Sequence, residues 1–481
     1  MTTPVGLDNR TGHSPGLPQH DVLSAVGRFT LHELPALNAR IIGGRGELPQ
    51  LVGRMNHLLA GLPDPGLLLP ADTQRLIVEL GIWGSSVQRH ALDQQAAPDA
   101  LAGLDLLRAG PGGELPFREY FRTLATRSGT GHPPRDAYAS LVRWNTPPSQ
   151  AVWNGERIVA LPSVYRDGLV RTYTADAGET LILELFKAVE TLEAGANTAL
   201  EPVWAGCSMS DDEATHRFTI ATHMVAGAQR LFRDFPGGDH RGALSIEHFI
   251  HVFRQFGVHW QDGDTPPSGP QDVEWVTRDL MTGVGSPAYC QHVRRIYPGL
   301  LAPERARLSQ AMDRPPLPQQ LLQAAGLTAQ VLTAMPEAEL SETARNHPRI
   351  VACYYFLRAS ARLSAIHLAV SKHYLFAAMR RADTGHGQAA VSNEQGITGL
   401  AEQALERLHH ARQHHALHPL GRLPRPTLRT LSHIVPDPQT STSQALALLG
   451  RQPPADESVR THPASPGGER GQHALGPGAA A

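Results

Sequence analysis

The chain has 481 residues, a formal net charge of −2 and 41% hydrophobic residues. This near-neutral charge excludes the strongly basic surface of many nucleic-acid-binding proteins. No apolar run approaches the roughly 20 residues that a membrane span needs, and the polar start of the chain does not have the pattern of a signal peptide. Three widely spaced cysteines predict neither a CxxC metal site nor a disulfide framework. We therefore expect a cytoplasmic protein without nucleic-acid or membrane partners.

Apolar residues recur at helical spacing along most of the chain, and alternating strand patterns are rare. This pattern predicts an all-α fold, with helices near residues 21–28, 48–61, 73–89, 116–126, 178–195, 211–234, 245–259, 270–283, 303–312, 317–324, 349–380 and 395–416. The predicted organisation is a disordered tail (1–20), a smaller N-terminal helical part (21–145), an irregular connecting segment (146–175), a larger helical bundle (176–418) and a disordered Pro/Gly-rich tail (419–481).

Two glycine-rich stretches resemble nucleotide or calcium loops only superficially. IIGGRGELP at 41–49 does not fit GxGxxG, and Pro49 stands where the third glycine belongs. DFPGGDHRGALSIE at 234–247 places Arg241 and His248 at positions where a calcium loop needs oxygen ligands. We reject both sites.

The segment 245–260, SIEHFIHVFRQFGVHW, has the spacing of an amphipathic helix with Ser245 as its N-cap. Arg254 flanks the apolar face, from where its side chain could reach a pocket. An arginine is suited to a planar, two-point grip on a carboxylate. A solvated or salt-bridged arginine is the alternative interpretation.

The segment 349–380 is a long helical pattern without Pro or Gly. One stripe at steps of three and four runs through Cys353, Phe356, Ser360, Leu363, His367, Val370, Tyr374 and Ala378. His367 therefore points into an apolar seam beside small residues that would let a flat macrocycle approach. A neutral imidazole in such a seam is a natural axial ligand for heme iron. A structural histidine bonded to a backbone carbonyl is the alternative, and His373 is the rival ligand.

Two segments nearer the C-terminus remain ambiguous. The strip 380–405 is rich in Gly and Thr and would serve either as a lid that orders on substrate binding or as a plain loop. The run HHARQHHALH at 409–418 places three histidines on one helical face. That face could bind zinc, but we favour the interpretation of a solvated helix.

Several of these segments resemble the heme-dependent dioxygenase superfamily of indoleamine and tryptophan dioxygenases and monodechloroaminopyrrolnitrin synthase. SAIHLAVSKHYLFAA resembles the proximal-ligand helix of these enzymes, and HFIHVFRQFGVHW resembles their arginine helix. PPSGPQDVEWVTRDLMTGV is similar to the loop and helix on their distal side. Weaker likenesses in ELPALNARIIGG, LGIWGSSVQRH and LVRWNTPP extend the match over roughly residues 30–415.

The resemblance implies roles for particular residues. His367 would bind the iron, with Phe356, Leu363 and Val370 against the macrocycle. Arg254 would hold the substrate carboxylate and thereby be essential for catalysis. The remaining substrate contacts would be Phe249, Ile250, Ser268, Gly269 and Thr398. Ile250 departs from the aromatic residue of the family pattern, which changes how an indole ring would be held.

The resemblance also implies a fold and an activity. We expect a helical bundle of the indoleamine/tryptophan dioxygenase type that encloses one b-type heme and incorporates O₂ into tryptophan or a modified tryptophan, in secondary metabolism. The motifs do not choose between ring cleavage and ring rearrangement, and they leave a homodimer open. A non-catalytic heme-binding sensor or carrier, or a heme-free helical scaffold, is the alternative function.

Overall fold

The computed structural model describes residues 19–94, 102–128, 131, 133, 135–235, 244–376, 402–424, 427 and 440–451. Within these ranges the chain is mostly helical, which confirms the predicted all-α class. The strands of the described ranges form two small antiparallel sheets, β1 (Arg108–Ala109) with β2 (Leu115–Pro116) and β3 (Ser149–Trp153) with β4 (Glu156–Leu161). None of the described helices is both long and apolar enough to span a membrane.

The α-helices of the N-terminal third are α1 (Gln19–Arg28), α2 (Leu34–Ile42), α3 (Leu48–Leu59), α4 (Pro70–Asp93) and α5 (Phe117–Arg127). The following helices are α6 (Ala177–Trp204), α7 (Asp211–Asp234), α8 (Ile246–His248), α9 (Val273–Thr282), α10 (Pro287–Arg295), α11 (Ala302–Asp313), α12 (Leu317–Ala324), α13 (Ala329–Ala334), α14 (Glu337–Asn346), α15 (Pro348–Ser371), α16 (Glu402–Gln413) and α17 (Thr442–Leu448).

Four segments have the wider turn of a π-helix: Phe29–Glu33, Ala139–Trp144, Phe249–Phe253 and Lys372–Phe376. Short 3₁₀ turns occur at Pro65–Leu67, Ala102–Leu106, Pro111–Gly113, Arg254–Phe256, Gly269–Gln271, Tyr297–Gly299 and His418–Arg422. The π-helices matter for the site because π turns often occur where function requires a side chain to be re-aimed.

Helix starts follow the capping residues of the sequence. Ser210 caps α7 by accepting a hydrogen bond from Glu213 N at 3.1 Å, and Asp272 caps α9 by accepting from the backbone amides of the first turn. The predicted N-cap at Ser245 is confirmed, since its hydroxyl accepts from His248 N at 3.0 Å. Such side-chain oxygens satisfy backbone donors that have no partner inside the helix.

Buried apolar residues form two main clusters. The N-terminal cluster is built by α1 to α5 and is completed by Trp260 and Phe256 from later in the chain. The larger cluster is built by α6, α7, α9 and α15 together with the helices between them, and Leu449 after α17 closes it.

Helix α15 runs through the larger cluster. Every residue from Ile350 to Leu357 is buried, so this half of the helix has no face in water. It packs against α7 on one side and α16 on another. From Ala365 onward the helix becomes more exposed, because it leaves the packed cluster and reaches the cavity described below. A helix that is apolar all round is typical of the interior of a large bundle.

Two predicted boundaries differ from the structure. The connecting segment contains the β3–β4 hairpin, whose turn is formed by Asn154 and Gly155, both at positive φ. The segment predicted as a disordered C-terminal tail contains the turn His418–Arg422, with Leu420 fully buried, and helix α17 against α7. The turn His418–Arg422 and helix α17 are ordered because their leucines and alanines fill gaps in the larger core. Of the tail predicted at 1–20, residues 19 and 20 begin α1, and residues 1–18 lie outside the described residues, as does Thr398 in the strip 380–405.

Candidate functional site

A cavity of about 230 Å³ lies where α6, the turn around residue 254, the loop 267–270, α15 and α16 meet. Its walls are mainly aromatic and aliphatic. The lining residues are Tyr138, Leu141, Val142, Tyr173, Leu183, Phe186, Phe249, Phe253, Arg254, Phe256, Gly257, Pro267, Ser268, Gly269, Pro270, His367, Ser371, Leu375, Phe376 and Leu405. No Asp or Glu is among these described lining residues, and apolar walls with a few convergent polar groups are typical of small-molecule sites.

Five of the sequence-predicted site residues lie on this one cavity. They are His367, Arg254, Phe249, Ser268 and Gly269, and they come from three segments more than 100 residues apart at their extremes. The structure therefore brings together the segment of Arg254, the loop of Ser268 and Gly269, and the helix of His367.

Four other predicted residues do not line the cavity. Ile250 is 1% exposed and packs against Phe376 in a small cluster of its own. Phe356 packs against Phe218 with ring centroids 6.3 Å apart, and Leu363 is also fully buried. Val370 is half-buried outside the cavity wall. Phe356 and Leu363 miss the cavity because this part of α15 is enclosed by neighbouring helices.

Arg254 reaches the cavity through a change of helix type. The segment begins as α8, widens into the π-helix Phe249–Phe253 and tightens into a 3₁₀ turn at Arg254. The Arg254 amide donates to Phe249 O, five residues back. Arg89 of α4 donates to the carbonyls of Val252 at 2.8 Å and His251 at 3.2 Å. The Arg89 side chain thus satisfies two carbonyl acceptors of this irregular helix.

The guanidinium of Arg254 sits in a poorly solvated environment. The residue is 3% exposed, and burial lowers its pKa from 12.5 to about 10. The group is still a cation at neutral pH. A cation on a cavity wall without carboxylates favours an anionic ligand, and the fork of an arginine fits a carboxylate in two-point contact.

Ser268 contributes a hydroxyl that has no partner within the described residues. Its Oγ is buried and forms no hydrogen bond there, whereas its backbone is fixed by Gln271, whose side chain accepts from Ser268 N at 3.2 Å. Gln271 also donates to Thr265 O at 3.2 Å and thereby holds the loop. A buried polar atom without a partner is costly, so the Ser268 hydroxyl is available to a bound ligand.

His367 lines both this cavity and a second chamber of about 110 Å³. The rings of Trp275 and Phe232 lie 4.9 Å and 5.6 Å from its ring centroid. Burial, with a smaller contribution from the positive charges of Arg412 and Arg278, lowers its pKa to about 4. The imidazole is therefore neutral at neutral pH and keeps a free nitrogen lone pair. Within the described ranges, its ring nitrogens form no hydrogen bond.

The second chamber contains a cluster of charged groups behind His367. Arg412 of α16 donates to both oxygens of Asp279, at 2.9 Å and 2.5 Å, and Tyr289 donates to the same carboxylate at 2.9 Å. Arg412, with the charge of Arg278 and the hydrogen bond from Tyr289, holds the pKa of Asp279 below its usual range despite burial. His292 lines the chamber with a buried Nε2 that has no partner among the described residues. This cluster fixes the surroundings of His367 without contacting its nitrogens.

Sequence reasoning missed part of the site. Tyr138 and Tyr173 line the cavity from outside any predicted helix. Three of the four described π-helices contribute wall residues, through Leu141, Phe249 and Leu375. A 3.6-residue period cannot reveal a π turn, so no simple signal in the sequence marks these walls.

The other candidate metal ligands are His373 and the histidine run at 409–418. His373 is exposed and does not line either chamber, so its position does not fit an enclosed ligand. In the histidine run, His410 and His414 stack with ring centroids 3.9 Å apart and His418 follows at 5.3 Å from His414. Even so, the described residues contain no group of three or more His, Cys, Asp or Glu side chains placed to hold a metal ion.

No protein-family model matches the chain, and no curated protein matches it. The likeness to heme-dependent dioxygenases consequently rests on the motifs and on where their residues lie.

Proposed function

We propose that this chain is a heme-dependent oxygenase that acts on tryptophan or a modified tryptophan. The observation that carries the proposal is that a neutral, half-buried histidine and a buried arginine, His367 and Arg254, line one apolar cavity. Each was expected from a different motif, and a shared cavity is what a common ligand-binding role requires.

Heme is the iron-bearing group that we propose for the surroundings of His367. A single imidazole is too few ligands for a bare metal ion, and no larger metal-ligating cluster exists among the described residues. The iron would therefore have to bring its other ligands with it, as it does in heme. The two chambers, of about 230 and 110 Å³, share His367, and several aromatic residues line each of them. Together they reach the lower end of the roughly 300–1,000 Å³ of typical ligand pockets.

The same cavity suits an aromatic amino acid. Arg254 offers the cation for a carboxylate, and Phe249 and Phe253, with ring centroids 6.2 Å apart, offer a surface for an indole. The unpartnered Ser268 hydroxyl can accept from an ammonium or from the indole N–H. An aromatic amino acid thus offers a carboxylate to Arg254 and a hydrogen-bond donor to Ser268.

A bound heme would supply the activation of O₂ that no amino-acid side chain provides. The chain's own contribution is to hold the substrate and to keep water away. Arg254 orients the substrate through its carboxylate, the aromatic walls exclude solvent, and the low pKa of His367 keeps its nitrogen unprotonated for the iron.

The test is reconstitution of the purified full chain with hemin, followed by an optical spectrum. We expect a stoichiometric Soret band that is lost in His367→Ala and retained in His373→Ala, the matched control on the same stretch of chain. A protein that stays colourless, or that keeps its band in His367→Ala, would show that the proposal is wrong.

Oxygen uptake then separates an enzyme from a heme-binding sensor or carrier. We expect tryptophan-dependent O₂ consumption by the reconstituted protein and its loss in Arg254→Met, with the Soret band preserved. Heme binding without any substrate-dependent uptake, tested with tryptophan and ring-substituted tryptophans, would assign the chain to the non-catalytic class.

A further inference from the structure

Two walls of the cavity at Arg254 come from separate segments that meet at one buried carboxylate. One wall is Tyr173, which lies just before α6, and the other is the irregular helix that begins at Phe249. The carboxylate is that of Glu179 in the first turn of α6, and this residue is fully buried. How firmly Glu179 holds the two segments therefore decides how well the walls are placed.

Glu179 fixes the first wall by accepting hydrogen bonds from its backbone. Its Oε2 accepts from Tyr173 N at 2.7 Å and from Thr174 N at 3.1 Å, and its Oε1 accepts from the Thr174 hydroxyl at 2.7 Å. The ring of Tyr173 stacks on Phe256 at a centroid distance of 4.1 Å and lies 6.0 Å from Phe253. The carboxylate thus sets where an aromatic side chain of the cavity stands.

His248 ties the second wall to the same carboxylate. Its Nε2 donates to Glu179 Oε1 at 2.9 Å, because a carboxylate can only accept, and its Nδ1 lies 3.8 Å from Asp176 Oδ2. His248 is the last residue before the π-helix that begins at Phe249 and leads to Arg254. A shift of His248 therefore moves the wall residues that follow it.

The charge of His248 sets the strength of this tie. Its side chain is 17% exposed, so it can exchange protons with the solvent. Burial lowers the pKa of His248, but the hydrogen bond and the charge of Glu179, with the charge of Asp176, outweigh burial and raise the pKa above its usual 6.5. Among the described residues, the charged or titratable groups near it are Asp176 and Glu179 at the start of α6, Arg89 of α4, which acts in the opposite direction, and Glu247 and His251 of its own segment.

We propose that His248 is a positioning residue that holds two walls of the cavity together through Glu179, and that this hold is tightest while His248 carries a proton. A charged donor forms a hydrogen bond roughly twice as strong as a neutral one, so the hold weakens as the pH rises through the pKa of His248. The pKa values of His367 and Arg254, about 4 and about 10, leave both groups unchanged over this range. The effect on ligand affinity rests on the proposed function, whereas the placement of the walls does not.

The first test is hydrogen exchange of the ligand-free full chain, followed by mass spectrometry in peptides that cover Tyr173 and Thr174. Protection is compared at pH 6 and pH 8.5 after correction for the intrinsic exchange rates. We expect it to fall about five-fold more in the wild-type chain than in His248→Gln, whose side-chain amide is a neutral donor to Glu179 at both pH values. Near-neutral pKa values, of about 7, also occur at Glu79, Lys187 and Glu193. These groups are present in both proteins, so the difference between the proteins reports on His248.

The second test is isothermal titration with tryptophan at the same two pH values, where we again expect the affinity to fall about five-fold more in the wild-type chain than in His248→Gln. His251→Gln is the matched control, because His251 is exposed on the same segment and pairs with the exposed Glu247 at 3.3 Å. It should behave as the wild-type chain does in both tests.

The inference is overturned if exchange, or a measurable tryptophan affinity, depends on pH equally in the wild-type chain and in His248→Gln. It is also overturned if His251→Gln removes the pH dependence as fully as His248→Gln does. A purely structural role of His248 would lower protection and affinity by the same factor at both pH values. If tryptophan does not bind at either pH, the proposed function is wrong, and the exchange test still decides the role of His248.

Discussion

Replacing Arg254 by Met keeps an unbranched side chain at the cavity wall and removes its charge. Burial lowers the pKa of Arg254 from 12.5 to about 10, and one pKa unit corresponds to about 1.4 kcal/mol. Holding this cation in the cavity therefore costs about 3 kcal/mol, which a bound carboxylate offsets and a neutral ligand does not. We expect Arg254→Met to weaken tryptophan binding about 100-fold.

The assay compares tryptophan with indole by isothermal titration of the wild-type chain and the variant. Indole has no carboxylate, so its affinity should not depend on Arg254. Arg254→Lys keeps a cation but not the fork, and we expect it to lose roughly ten-fold for tryptophan. Equal weakening of tryptophan and indole would refute the reasoning, because it would mean that the substitution deforms the cavity.

Two further predictions concern stability. Burial, and less so the charge of Arg89, lowers the pKa of His90 to about 3 from 6.5. As the pH falls, His90 therefore binds a proton in the unfolded chain before it does so in the folded protein. Lowering the pH from 7 to 5 should reduce the free energy of unfolding, measured by urea titration, by about 2 kcal/mol more in the wild-type chain than in His90→Gln. Equal losses in the two proteins would contradict a neutral buried His90. Arg412→Met leaves the Asp279 carboxylate, which is 1% exposed, without its two-point partner, and this should lower the free energy of unfolding by about 3 kcal/mol. The control Arg407→Met, at an exposed position, should change the free energy of unfolding by under roughly 0.5 kcal/mol. Similar costs for the two variants would refute a special role for the Arg412–Asp279 ion pair.

Much of the fold could be predicted because the helices are long, amphipathic and capped. Helix α7 was expected at its observed bounds, and α4, α6 and α15 were expected in the right places, although α6 continues to Trp204 instead of 195 and α15 ends at Ser371 instead of 380. Helices α2, α10, α13 and α14 were missed because they are short, and a short helix carries little periodic signal. The β3–β4 hairpin did carry a signal, since Asn154–Gly155 is the turn pair that a two-residue hairpin favours.

The candidate site was predictable in its residue types but not in its geometry. The sequence places Arg254 at the edge of an apolar face if the segment is a regular α-helix. The extra residue in the π turn Phe249–Phe253 shifts the following side chains around the axis, and Arg254 becomes buried on the cavity wall while Ile250 turns into a separate cluster. His367 was expected to have Phe356 and Leu363 as companions, but packing by neighbouring helices encloses them. Such placements depend on tertiary contacts that spacing cannot encode.

Helix α16 constrains which substitutions the protein can accept during evolution, because it contributes side chains to two pockets. It presents Arg412 to the chamber behind His367, and on its next face it presents His409 and Gln413 to a second pocket, which lies between α15, α16 and the turn His418–Arg422. A substitution that alters how this helix seats on α15 acts on both pockets at once. The two pockets therefore cannot drift independently, and variation in α16 is pleiotropic even where the altered side chain touches neither pocket.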